Sequence, residues 1–340
     1  MRLLLACLLL WSANAHSEDA ANPASPRTLA ADAPVREMAT VVVTGVQPGP
    51  GMWKVSKGGH VMWVLGTQSP LPKNMTWRSD EVSLVLQQAD AVLGSPGIYI
   101  NADVGFLRGL TMLPSAMKAA KSPDGKKLQD VLPADLHAQW ARLKQRYIGR
   151  DNGIEKKRPL IAAYQLYQAA LSRSGMRENG VIEPVINGVL EKRKLKRTPT
   201  TLKLIIEDPR AALADFRKET LKAEDLACFR KTLDLIENDL GQVAARANAW
   251  ATGDYQALRS APREEQMLSC LSAWFNNETA RKRGLTDIDR RVRARWLETA
   301  EAALQKNALT FATLPVSQLV RPDGYLADLE AKGYTVEPPE

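Results

Sequence analysis

The chain has 340 residues, 45% of them hydrophobic and 25% charged, with 46 Lys and Arg against 38 Asp and Glu for a formal net charge of +8. Such a composition builds a sizeable core and excludes a collagen-like or wholly disordered chain. The basic runs Glu191–Arg197 and Arg281–Arg283 read as solvated faces; no helix-turn-helix, zinc-finger or RNA-module pattern accompanies them, so no nucleic acid partner is expected.

At the start of the chain, Arg2, the apolar run Leu3–Trp11 and then Ala13-Asn14-Ala15 read as a secretory signal peptide over residues 1–15, cut after Ala15. The run is shorter than the roughly 20 apolar residues a spanning helix needs, and no later stretch approaches that length, so no transmembrane anchor is expected. A periplasmic or secreted protein follows. Residues 16–38, rich in Ala, Pro, Ser and Asp, carry too few large apolar side chains to offset their own ordering entropy and read as a disordered tether. A single domain is expected over 39–340, opening on the β-rich run ATVVVTG at 39–45.

The stretch MWKVSKGGHVMWVLGT holds two β-rich runs, Trp53–Ser56 and His60–Leu65, around a glycine pair, which predicts a hairpin. SDEVSLVLQQAD (79–90) has helical spacing, Ser79 as its cap and Asp80 and Glu81 in its first turn. AVLGSPGIYI (91–100) reads as a strand interrupted at Gly94–Gly97, and Val104–Leu190 as mostly helical. TPTTLKLIIED (198–208) predicts a strand, followed by a helix with Pro209 in its first turn. One long amphipathic helix is expected over 223–252, and further helices near 263–280 and 287–306. The chain closes with a strand in NALTFATLPVS, a helix in PDGYLADLEAKG ending at Gly333, and a strand in YTVEPP. These elements predict a mixed α/β (α+β) fold whose central sheet is formed by the N- and C-terminal strands around a large helical middle block. Trp53, Trp63, Trp77 and Tyr99 read as core aromatics, with Trp77 placed to rim a pocket. Beyond the signal peptide two cysteines remain, Cys228 and Cys270, and in an oxidising compartment such a pair reads as a disulfide.

Several of these segments occur together in one known family. Met52–Val55, Gly58-Gly59 and Val61–Thr67 at one end, with Phe311-Ala312, Pro322–Gly324 and Gly333–Glu337 at the other, resemble the TraB/GumN family, related to the Tiki metal-dependent peptidases. The resemblance spans about residues 50 to 338. It implies two Gly-x-x-His motifs and one acidic residue that hold a divalent metal, because imidazole and carboxylate together position an ion that polarises a carbonyl and acidifies bound water. Here the first motif is Gly66-Thr67-Gln68-Ser69, the second falls on Pro315-Val316-Ser317-Gln318, and Ser95 stands at the acidic position after Ala89–Leu93. Neutral side chains at Ser69, Ser95 and Gln318 therefore imply a relic site and a catalytically degenerate member with no metal or other cofactor. Its cleft is expected to bind a peptide segment or an envelope glycan.

The alternative reading is an active peptidase or hydrolase with a rebuilt site, using Ser69 or other carboxylates. Ser69 lacks the Gly-x-Ser-x-Gly elbow, and only His16, His60 and His137 are available to a triad. A Ser69–Lys73 dyad is the remaining arrangement of that class.

Overall fold

In the hairpin that opens the fold, the two-residue loop Gly58-Gly59 takes positive φ at both positions, 58° and 85°. Its twist matches that of the paired strands, and only glycine adopts it without strain. The computed structural model describes residues 45–101, 106–260 and 286–339. The expected signal peptide, the tether, the 39–45 strand up to residue 44, the 263–280 helix and the Arg281–Arg283 run lie outside the described residues.

Strand β1 (Val46–Gln47) pairs in parallel with β5 (Thr76–Trp77), and β4 (Leu71–Pro72) pairs antiparallel with β8 (Met176–Arg177). The main sheet has five strands in the order β11-β2-β3-β10-β6, comprising β2 (Met52–Lys57), β3 (His60–Thr67), β6 (Ala91–Leu93), β10 (Leu309–Pro315) and β11 (Thr335–Glu337). Strands β3, β10 and β6 run parallel; β2 joins β3 antiparallel, and β11 at the edge joins β2 antiparallel. The two ends of the domain thus share one sheet, as the pattern predicts.

Alternation along these strands divides the core in two. Met62, Val64, Ala312 and Leu314 pack with Trp296, Ala300 and Leu304 of α11 (Ile288–Lys306) and with Leu326 and Leu329 of α13 (Tyr325–Ala331). Leu65, Phe311 and Val92 face the other way, into the helical middle block. Parallel strands need cover on both faces, and the period of two places every second side chain in each core.

The middle block contains α1 (Asp80–Gln88), α2 (Phe106–Ala119), α3 (Leu128–Val131), α4 (Ala134–Tyr147), α5 (Pro159–Arg173), α6 (Glu183–Arg193), α7 (Pro209–Lys218), α8 (Ala223–Asp234), α9 (Leu240–Thr252) and α10 (Tyr255–Ser260). The turn α12 (Val316–Leu319) follows β10. Residues 223–252 are not one continuous helix. A π-helical turn at Leu235–Asp239 and a non-helical Asp239 (φ −117°, ψ 3°) divide them, and each half buries its own apolar face. Ser79 sits at the start of α1, but its hydroxyl makes no capping bond; Asp80 and Glu81 supply the first-turn negative charge. At α7, Asp208 accepts from the Ala211 N–H ahead of Pro209. After α13, Gly333 takes φ 81°, with its N–H on the Glu330 carbonyl and that of Tyr334 on the Leu329 carbonyl.

The basic run at 191–197 has structural work. Arg193 Nη1 donates to the Leu86 and Ala89 carbonyls at the end of α1 (2.6 and 2.7 Å). Arg197 pairs with Glu183 at 2.9 Å. Beside the main sheet, β7 (Ile98–Asn101) and β9 (Leu202–Ile205) form a short parallel pair, and α2 packs on α7. Arg158 ties these helices down: Nε reaches the Ala119 carbonyl at the end of α2 (3.0 Å). Its Nη atoms reach the carbonyls of Phe216, Arg217 and Glu219 (2.6, 3.2 and 3.0 Å), and the guanidinium lies 4.4 Å from the centre of the Phe216 ring. A cation at two helix C-termini satisfies carbonyls that have no partner within their own helices.

Candidate functional site at the strand carboxyl ends

Strands β3 and β10 end together, Thr67 paired with Pro315, and β6 stops three residues short of them, with Leu93 paired with Ala312. In open α/β sheets the crevice beyond the carboxyl ends of parallel strands is where ligands bind. Two fully buried tryptophans, one in each core, fix this edge. Trp250 Nε1 donates to the Gly66 carbonyl (2.7 Å) and Trp296 Nε1 to the Gly94 carbonyl (3.0 Å). Trp77 is a core residue, 5.5 Å edge-on to Trp250, and does not line the cavity at this edge, whereas Tyr99, expected in the core, is 54% exposed. Gly66 is closely approached: a Cβ there would meet Leu319 Cδ1 at 3.0 Å and Val316 Cγ2 at 3.3 Å, so these side chains would have to shift by a few tenths of an ångström.

A cavity of about 140 Å³ opens at this edge. Thr67, Gln68, Ser69 and Ser95 line it from the strand ends, and Arg177, Glu178, Asn179 and Glu183 from the approach to α6. Ser69 Oγ donates to the Glu178 carbonyl (2.9 Å) and Thr67 Oγ1 to the Leu314 carbonyl (3.2 Å). Ser95 Oγ meets Thr313 Oγ1 at 2.9 Å, and Thr200 Oγ1 donates to the Gly94 and Ser95 carbonyls. Gln68 is 7% exposed and its Nε2 donates to the Ser69 carbonyl (3.1 Å). A carboxamide has a second N–H and an acceptor oxygen. Among the described residues neither has a hydrogen-bond partner, and Gln68 lines the cavity. At the outer edge the Tyr164 hydroxyl donates to Glu178 Oε2 (3.4 Å); burial, then the Glu178 charge, raise the Tyr164 phenol above its ordinary value.

A model of the TraB/PrgY/gumN family matches residues 51–338. The chain belongs to the TraB/PrgY/gumN family. Comparison with curated proteins and with solved structures returned no match. The family match takes in β2 through β11, so the strand-end cavity is built wholly from family-matched residues.

Of the positions singled out in the sequence, Gly66, Thr67, Ser69 and Ser95 converge at this edge, while Gln318 does not line the cavity. The strand expected to reach Ser317 stops at Pro315, and Val316 enters α12. The buried Val316 and Leu319, three residues apart on one face, seat that turn over Gly66. Strand β10 reaches the edge through Thr313 instead.

The donors do not fit a divalent metal of the imidazole–carboxylate type. Ser69 and Ser95 offer neutral hydroxyls already hydrogen-bonded, and Glu183 is paired with Arg197. Among the described residues no group of three or more His, Cys, Asp or Glu could hold a metal ion. His60 bonds the Asn307 carbonyl (2.7 Å) at the other end of β3, about 23 Å from Thr67 at ~3.3 Å per residue. His137 lies on α4, and His16 is outside the described residues. Lys73 does not reach Ser69: its Nζ donates to the Ser172 carbonyl and hydroxyl (2.8 and 2.9 Å) near the end of α5.

Gln68, Thr313 and the Glu178 carbonyl are parts of this edge that the sequence reading passed over. The only local signal was for Gln68, a polar residue directly after a buried strand. The others meet their partners across separations of 218 and 109 residues.

Proposed function

We propose that this chain is an exported TraB/PrgY/gumN-family protein that binds a neutral polar ligand, a peptide segment or an envelope glycan, at its strand-end cleft without metal-dependent hydrolysis. The observation that carries this reading is the cavity of hydroxyls and one carboxamide with hydrogen-bonding capacity to spare, in which Ser69 and Ser95 stand where the family resemblance implies metal ligands. The charges around it balance locally, Arg177 beside Glu178 and Arg197 against Glu183, which favours an uncharged partner.

Metal analysis of the purified protein is expected to return no stoichiometric transition metal. A bound metal lost on Ser69→Ala or Ser95→Ala would overturn the reading. In a binding screen of peptides and glycans, Gln68→Ala is expected to weaken the selected ligand about tenfold, the equivalent of one hydrogen bond of about 1.4 kcal/mol.

Export also bears on the cysteines. Cys228 is buried on α8, while its expected partner Cys270 lies outside the described residues. A Cys228–Cys270 bridge would support the exported reading and would stabilise the fold by roughly 4 kcal/mol through loop closure. Non-reducing peptide mass spectrometry of protein secreted by its host is expected to show the linked pair; two alkylatable thiols would remove this support.

A further inference from the structure

Nine large apolar side chains are exposed among the described residues, and six of them lie on β7, α2 and β9. They are Tyr99, Ile100, Leu110, Leu113, Met117 and Ile205, from 46% to 68% exposed. On α2, Leu110, Leu113 and Met117 follow the i, i+3, i+7 spacing of one helix face, while Met112 and Ala119 are buried on the opposite face. In the β7–β9 pair, Tyr99 stands beside Lys203 and Asn101 beside Ile205 on a shared face. Scattered exposed apolar residues need no explanation, but three aligned on the outward face of one helix mark an interaction surface.

Charge decides the partner. Helix α2 contains no Asp or Glu, and Lys118 stands in its last turn beside Met117. Arg210 of α7 places Nη2 3.4 Å from Thr111 Oγ1, next to the apolar stripe. Lys118 and Arg210 are both exposed, whereas near β9 the exposed Lys203 is offset by the exposed Glu207 and Asp208. An apolar stripe flanked by cations is the pattern of a helix lying in a membrane interface, where the apolar face enters the acyl boundary and the cations meet anionic headgroups. A second copy of the chain on the same face would bring these cations against their own equivalents. We infer that the exposed face of α2, with Arg210 of α7 beside it, is a docking surface for an anionic lipid bilayer.

Sedimentation of the full chain with vesicles tests this. Binding is expected to vesicles of phosphatidylcholine with about one-third phosphatidylglycerol, to fall with phosphatidylcholine alone, and to weaken in about 0.5 M salt. Leu113→Gln with Met117→Gln is expected to lower the partition coefficient at least about tenfold. Lys118→Glu with Arg210→Glu should remove most of the salt-sensitive part. All four positions are exposed, and unchanged circular dichroism of either pair keeps the comparison valid. Equal binding by wild type and both variants, or none to anionic vesicles, would overturn the inference. So would a concentration-dependent dimer in ultracentrifugation that Leu113→Gln with Met117→Gln abolishes, since the face would then belong to a second copy.

Discussion

Trp250→Ala is expected to lower the unfolding free energy by about 3–5 kcal/mol, the range for deleting a fully buried tryptophan. The side chain is 0% exposed, packs edge-on against Trp77, and carries the N–H that meets the Gly66 carbonyl at 2.7 Å. Its removal opens a cavity beneath the end of β3 and withdraws the donor at the same time. Trp250→Phe separates the two effects: most of the ring remains, the donor is lost, and a cost of about 1–2 kcal/mol is expected. Denaturant midpoints of both variants check the values. Because Gly66 precedes the cavity-lining Thr67, Gln68 and Ser69, Trp250→Phe should weaken ligand binding at the cleft even where the protein remains folded. Equal affinity in wild type and Trp250→Phe would show that the indole supports the fold alone.

Arg158→Ala is expected to cost about 3 kcal/mol or more, and to do so locally. Four backbone carbonyls at the ends of α2 and α7 lose a charged donor, and hydrogen bonds to a charged group contribute about 1.5–3 kcal/mol each without adding in full. Burial pulls this guanidinium below its ordinary value, with Glu219 and Asp225 acting the other way. The carbonyls and the Phe216 ring around it hold the side chain in place. Arg158→Lys keeps the charge but not the planar fork, and should recover less than half of the loss. Hydrogen exchange is the discriminating measurement: amides of α2 and α7 should lose protection before those of β3 and β10. Uniform loss across the whole domain would mean that Arg158 supports the global core rather than these two helices. Through α2 the same variant should also weaken vesicle binding.

What was legible in the sequence follows the range of the interaction involved. The β2–β3 hairpin was readable because its glycine pair and its alternation lie within 16 residues of chain. Helix α7 was readable from Pro209, and the end of α13 from Gly333. The termination of β10 at Pro315 was not, because Val316 and Leu319 are turned into α12 by a surface that exists only once β3 has placed Gly66 beneath them. Nor was the break at Leu235–Asp239, since an amphipathic pattern predicts which face is apolar and not how many bodies that face must cover.

The sequence by itself determined the family, the mixed α/β class, the sheet shared by the two ends of the domain, and the position of Gly66-Thr67-Gln68-Ser69 at a strand end. Those properties rest on periodicity, turn chemistry and ordered motifs, which are local along the chain. The tertiary structure decided which side chains meet at that end: Ser95 with Thr313, Ser69 with the Glu178 carbonyl, and an indole beneath each of Gly66 and Gly94. These contacts join residues 109 to 218 positions apart. At such separations local propensity carries no information, and only packing both faces of one sheet brings the partners together.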